Sequence, residues 1–336
     1  HSYEAQPIPN KYMTPAFFVT NSYALIRPTS AVPMPFDQAM KAATKVVPQG
    51  QALMPADKVL VSVDSAVVAK HFPQLQGLPM PESMMLSLEG KSAVTRDQLF
   101  VLDMLGAAKW QRPIMWVSSA PQNVFANQRQ YMSQVGMAQR FNPTTVAGTP
   151  YEVDVERMYD LVMNKYRYFN ANDPNIYFDE NIRRNISYYY RARVFATLAQ
   201  ALLRQGDTER AKKVLTKCAE VISPKAVPYD MTDISLADAY YRADMKKQGD
   251  EIVRALYRDT AQLLYWVSQQ SPRHQMALIN DATVRYSLTA LIELIRIDML
   301  WGRNLSAEYE TMLQQALPTF GGSLEAVKEM TAQQLA

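Results

Sequence analysis

The sequence predicts an α+β chain: an N-terminal α/β module with a proline-rich extended lead over 1–150, followed by an all-α tetratricopeptide-like helical repeat domain over 151–336. Three observations predict it. Fifteen of the twenty prolines lie at or before Pro150, and a helical array tolerates few prolines. Short apolar runs with strand character occur ahead of that point. Beyond it, Tyr190 to Pro224 reads as helix, tight turn, helix and stop.

In chain order, Pro7, Pro9, Pro15, Pro28, Pro33, Pro35, Pro48 and Pro55 make the first sixty residues read as extended chain laid over something else. Val59 to Val63, Met84 to Leu88 and Ile114 to Val117 are candidate strands. Between the last two, Thr95 and Gln98 have capping-box spacing, and Leu99, Leu102 and Met104 or Leu105 supply the apolar side of a helix. Strand, helix, strand predicts a right-handed crossover between parallel strands.

From Tyr151 the pattern is helical. Asp154, Glu156 and Asp160 load a helix start with acid. Asp179 caps a long helix running through Tyr188 to Arg204. Phe195, Leu198, Ala199 and Leu202 form one apolar stripe, and Ala211, Val214, Leu215 and Cys218 another. Gly206 allows positive φ between them, and Pro224 stops the second helix. A second pair covers Ile234 to Met245 and Asp250 to Gln269, with Asp244 in the place of Gly206 and Gly249 in the place of Ala211. A third places Leu288, Leu291, Ile292 and Ile295 before Gly302, then Tyr309, Met312, Leu313 and Ala316. The last dozen residues read as a short helix or a frayed tail.

An apolar fraction of 48%, a charged fraction of 20% and a net charge of +3 without a basic block describe an ordinary globular chain and argue against nucleic acid as a partner. Cys218, the single cysteine, excludes an internal disulfide and reads as a small core residue. No run of the sequence is long and apolar enough to span a membrane. The missing initiator methionine reads as a fragment or processed form.

Chemistry has few candidates. His1, His71 and His274 are scattered, so no metal site and no cofactor is expected. Phosphate-binding glycine loops and nucleophile motifs are missing. Asp179 and Glu180 precede Arg183 and Arg184 at helix spacing, which reads as capping and ion pairing rather than as a glycosidase pair. The unusual composition is aromatic and arginine-rich: Tyr159, Tyr166, Tyr168 and Phe169, then Tyr177 and Phe178, then Tyr188, Tyr189, Tyr190, Arg191 and Arg193. Such a surface suits sugar or peptide binding, with Tyr188, Tyr189, Tyr190, Arg191 and Trp266 as the candidate binding residues. The competing reading, favoured on composition, is that these tyrosines seal the junction of the two halves.

The segments TRDQLFVLDMLGAAKWQRPIMW (Thr95 to Trp116), VDVERMYDLVMNKYRY (Val153 to Tyr168), YFDENIRRN (Tyr177 to Asn185), FATLAQALLRQGDTERAKKVL (Phe195 to Leu215) and VPYD (Val227 to Asp230) occur in an order that closely resembles the C-terminal soluble region of a bacterial multi-spanning membrane-protein family. That family carries a domain of unknown function related to the protein O-mannosyltransferases of GT-C type. The resemblance covers Thr95 to Tyr265, and Ser133 to Pro143 departs from it. It implies a tail on the periplasmic face of the inner membrane, associated with the membrane through an N-terminal transmembrane half missing from this sequence. GT-C catalysis lies in that half, so no residue here inherits a catalytic role. The resulting expectation is a non-catalytic interaction domain that binds a polypeptide partner or a glycan acceptor. The alternatives are a glycan-binding module and a hydrolase with carboxylates from separate segments.

Overall fold

The computed structural model describes residues 10–48, 50–117, 120 and 123–335. Two compact units divide at Asp154, the first α/β and the second helical. Pro7, Pro9 and His1 lie outside the described residues.

The described lead is not extended chain. It forms α1 (Pro15–Thr20), β1 (Tyr23–Ile26), β2 (Met34–Pro35), α2 (Phe36–Ala43), β3 (Ala52–Met54) and β4 (Lys58–Ser62), and it supplies Phe17, Ala24, Met40 and Met54 to the core. Its prolines sit where the ring is tolerated. Pro15 opens α1 behind the Thr14 cap, and Pro35 ends a strand just ahead of α2. Asp103 then ties the segment down: wholly buried, it accepts the backbone N–H of Lys11 (2.9 Å), Tyr12 (3.0 Å) and Met13 (2.8 Å).

The unit continues with α3 (Ser65–His71), β5 (Ser83–Ser87), β6 (Ala93–Thr95), α4 (Arg96–Ala108), β7 (Ile114–Val117), β8 (Met132–Val135) and β9 (Ala138–Phe141). The three strands read from the sequence are present as β4, β5 and β7, and α4 starts at the Thr95 cap, whose N–H donates to Gln98 Oε1 at 3.2 Å. The crossover is different. Strands occupy three sheets, ordered β3-β1-β6, β2-β4-β5 and β7-β9-β8, so β5 and β7 never share a sheet. The parallel pairs are β1 with β3 and β2 with β4, both connected through α2. The short β6, antiparallel to β1, feeds α4 instead. Residues 133–143, where the family resemblance lapses, hold the β8–β9 hairpin, turned at Gly136 with φ 62°. Phe141 at its end meets Trp110, Trp116, Phe125 and Tyr131.

The helical unit runs through α5 (Val155–Asp160), α6 (Glu180–Asn185), α7 (Thr197–Arg204), α8 (Thr208–Val221), α9 (Ile234–Arg242), α10 (Lys246–Ser268), α11 (Pro272–Leu278), α12 (Ala282–Leu300), α13 (Glu310–Ala316) and α14 (Leu324–Leu335). The hairpins repeat one turn chemistry. Gly206 and Asp244 both take left-handed backbone, φ 80° and 58°. The next residues, Asp207 and Met245, donate N–H to Leu202 and Tyr240 at 2.9 Å in each case, the bond that closes a helix C-terminus. Asp244 therefore does what the glycine does. Tyr240, standing where Leu202 stood, donates its hydroxyl to the Leu215 carbonyl at 3.0 Å and joins consecutive hairpins.

Gly106 and Gly249 lie inside helices, where alanine is ordinarily better by about 1 kcal/mol. Here a Cβ at 106 would lie 2.3 Å from the Phe36 ring and one at 249 would lie 2.6 Å from the Tyr241 ring, and both rings are buried. Gly106→Ala and Gly249→Ala should each lower unfolding stability by roughly 1–3 kcal/mol in denaturant titrations. A gain at either position would show that its ring moves aside freely.

Asp250 on α10 accepts from Arg303 at 2.9 and 2.7 Å and from the Tyr241 hydroxyl at 3.0 Å. The Arg303 guanidinium, helped by Tyr241 and opposed by burial, holds this carboxyl below its ordinary value. A carboxyl lowered in the folded state stabilises above the unfolded value of roughly 3.9, and that contribution disappears as pH falls through the folded value. The helical unit should therefore weaken on acidification below about 4, with a flatter profile for Asp250→Asn. Parallel profiles for the two proteins would refute the assignment.

Candidate functional site

The aromatic, arginine-rich residues gather around two stretches of unusually wide helix, Leu161–Lys165 and Ile186–Ala196, wound with bonds to the fifth residue back. Wide turns are rare and are frequent at functional sites. The helix read from Asp179 to Arg204 is thus continuous but not uniform. Asp179 caps it by accepting from the N–H of Asn181 and Ile182 at 2.9 and 3.2 Å, and Glu180 pairs with Arg184 at 2.5 Å. Both carboxylates are engaged in helix architecture.

Tyr188, Tyr189, Tyr190 and Arg191 all ride on the second wide stretch, and they divide by direction. Tyr188 is 40% exposed, lies 4.9 Å from the Tyr189 ring, and carries the Arg193 guanidinium 5.6 Å from its centroid. Tyr190 is half-buried in a three-ring cluster with Tyr166 and Tyr168 at 6.4 and 6.0 Å, and burial raises its hydroxyl pKa. Arg191 points inward and is 1% exposed. Its guanidinium pairs with Asp233 at 3.2 Å, donates to the carbonyls of Val227 (2.7 Å) and Pro228 (3.4 Å), and stacks 4.6 Å from the Tyr229 ring centroid. The VPYD segment is the receptacle for this arginine. Burial outweighs Arg191 at Asp233 and pushes that carboxyl up to about 6.

The first wide stretch delivers a loop that composition did not single out as a pocket. Phe169 and Asn170 both adopt left-handed backbone, φ 52° and 55°, which is uncommon for an aromatic residue. They hold Phe169 out at 76% exposure. Arg167, Tyr168, Phe169, Asn170, Asn172 and Val221 line a cavity of about 410 Å³. Tyr168 is both its wall and a member of the three-ring cluster, so the cavity borders that cluster. Tyr177, 80% exposed, lies beneath Arg183 at 5.0 Å. The signal available in sequence was the Asn-rich run after Tyr168; nothing in it marks the backbone reversal at Phe169.

Trp266 stands apart on α10, 52% exposed. Among the described residues no hydrogen bond or ring contact joins it to the Tyr188 face. Cys218 is buried on α8, and burial pushes its thiol up to about 12, which keeps it neutral. Among the described residues no three or more histidine, cysteine or acidic side chains gather as metal ligands, and no helix is long and apolar enough to cross a membrane.

Fold and site together define an α/β unit followed by helical hairpins that carry an exposed tyrosine and arginine face. A family model described as TMEM260-associated domain 2 matches residues 2–159, and it suggests a TMEM260-related family, a family of membrane proteins. No curated protein and no solved structure matches the chain. The match falls on the α/β unit and includes the residues before Thr95, where the resemblance read from sequence was weak.

Removing Arg191 would leave Asp233 buried and unpaired. Arg191→Ala should cost the helical unit roughly 3–5 kcal/mol, whereas Tyr188→Ala should stay within about 1 kcal/mol. Equal losses in thermal or chemical unfolding would contradict the division into an inward and an outward face.

Proposed function

We propose that this chain is the interaction region of a TMEM260-related membrane protein, that it faces the periplasm, and that the tyrosine and arginine face of its helical unit binds a polypeptide acceptor or partner. The family match over residues 2–159 supports the membrane-protein context. The sequence resemblance ties that membrane protein to the GT-C type, whose catalysis belongs to the membrane half rather than to this chain. The observation that carries the polypeptide reading is the exposure of tyrosines with guanidinium groups laid over them, Arg183 on Tyr177 and Arg193 on Tyr188. Tyrosine and arginine are the side chains that concentrate binding energy at protein interfaces. A second reading, glycan binding, rests on the exposed Phe169 ring beside Asn170 and Asn172 at the cavity, a pairing of ring stacking with amide hydrogen bonds.

Titration of the purified chain with a panel of unstructured peptides and with oligosaccharides separates the two. On the polypeptide reading, Tyr177→Ala with Tyr188→Ala weakens peptide binding about tenfold or more and leaves the fold intact. A saturable response to oligosaccharide alone, lost in Phe169→Ala, would replace it with the glycan reading. For the membrane context, the full-length gene product with a C-terminal tag should resist carbonate extraction and lose the tag to protease in intact spheroplasts. Release as a soluble protein would overturn that part.

A further inference from the structure

The parallel strands β2 and β4 end at a second cleft, also of about 410 Å³, in the α/β unit. Crevices beyond the carboxyl ends of parallel strands are where α/β sheets bind small ligands. The floor is apolar, from Phe36, Leu60, Val67 and Leu105, and Gly106 opens it, since a side chain there would meet the Phe36 ring. The rim is charged and balanced by Lys11, Lys109, Asp37 and Asp64. Two of these are already matched: Lys11 pairs with Asp37 at 3.0 Å, and the Tyr12 hydroxyl donates to Asp37 and accepts from Lys11.

Lys109 and Asp64 remain, and among the described residues neither has an ion-pair partner. They stand on different walls. Lys109 closes the C-terminal end of α4, and Asp64 follows β4, where one carboxylate oxygen caps α3 by accepting from the N–H of Ala66 and Val67. The walls are fastened beside both residues, because the Trp110 indole donates to the Ser62 carbonyl at 2.9 Å. Lys109 and Trp110 both hold left-handed backbone, φ 46° and 60°, a conformation that non-glycine residues keep only where the surroundings impose it and that gathers at ligand sites.

We infer that this cleft binds a small zwitterion of the amino-acid or dipeptide type, its carboxylate on Lys109 and its ammonium group on the free oxygen of Asp64. Both residues are exposed, and a ligand carrying one charge of each sign meets both walls at once while its apolar part lies on the floor. The assignment is independent of the helical unit's binding face.

Calorimetric titration with glycylglycine and the free amino acids tests it, with N-acetylglycylglycine, glycylglycine amide and glucose as controls. Saturable binding is expected from at least one zwitterion, with about tenfold loss when either terminus is blocked. Lys109→Asn and Asp64→Asn should each weaken that ligand about tenfold without changing the melting temperature, because asparagine accepts both left-handed backbone and the N-cap. No saturable response from any zwitterion, blocked forms binding as well as free ones, glucose binding equally well, or wild-type affinity in both variants would each overturn the inference. The peptide response of Tyr177→Ala with Tyr188→Ala is unaffected by any of these outcomes.

Discussion

A carboxylate taken out of water has to be met by donors, and in this chain that requirement fastens irregular backbone to helices. Asp103 on α4 gathers the N–H groups of Lys11, Tyr12 and Met13. Asp233, at the start of α9, accepts from Arg191 and from the N–H of Asp230. Asp298 on α12 accepts from the N–H of Leu305 and Ser306 at 2.8 Å each. All three are at most 3% exposed. The first ties residues 11–13 to α4; the second supplies the counter-charge for an arginine that also binds the Val227 and Pro228 carbonyls of the loop after α8.

The clasp at Asp233 also sets which side chains of this stretch reach the surface. Because Arg191 is drawn inward to Asp233, Val227 and Pro228, its neighbours Tyr188 and Arg193 are left at the surface of the same wide stretch. A regular helix distributes side chains at 3.6 residues per turn. Along the wide stretch four consecutive polar-aromatic residues fall into three environments: exposed Tyr188, half-buried Tyr189 and Tyr190, and buried Arg191. One short run therefore supplies both packing, through Arg191 and Tyr190, and exposed aromatic surface, through Tyr188.

Much of this was legible. Thr95 and Gln98 mark a helix start with a local bond, Asp179 caps within two residues, and Gly206 closes a helix within one turn; such signals act over short sequence distances and survive in any tertiary context. Asp244 was read as a departure from the repeat, yet its backbone matches Gly206, because aspartate also tolerates positive φ. The proline-rich lead misled because proline forbids interior hydrogen-bonded positions but not helix starts and strand ends. The crossover misled because β6 has only three residues, too few for a periodic signal.

Sequence by itself determined the succession of elements, the α/β then helical order, the inward stripes of the hairpins and the concentration of tyrosine and arginine between Tyr159 and Arg193, since each depends on local propensity or periodicity. Tertiary structure alone decided which strands share a sheet, which arginine turns inward, where Phe169 projects and which charges in the α/β cleft find partners. Those outcomes depend on contacts between residues far apart in the chain, Lys11 with Asp103 and Arg191 with Asp233 among them. Their identity follows from burial and donor supply, which no local pattern encodes.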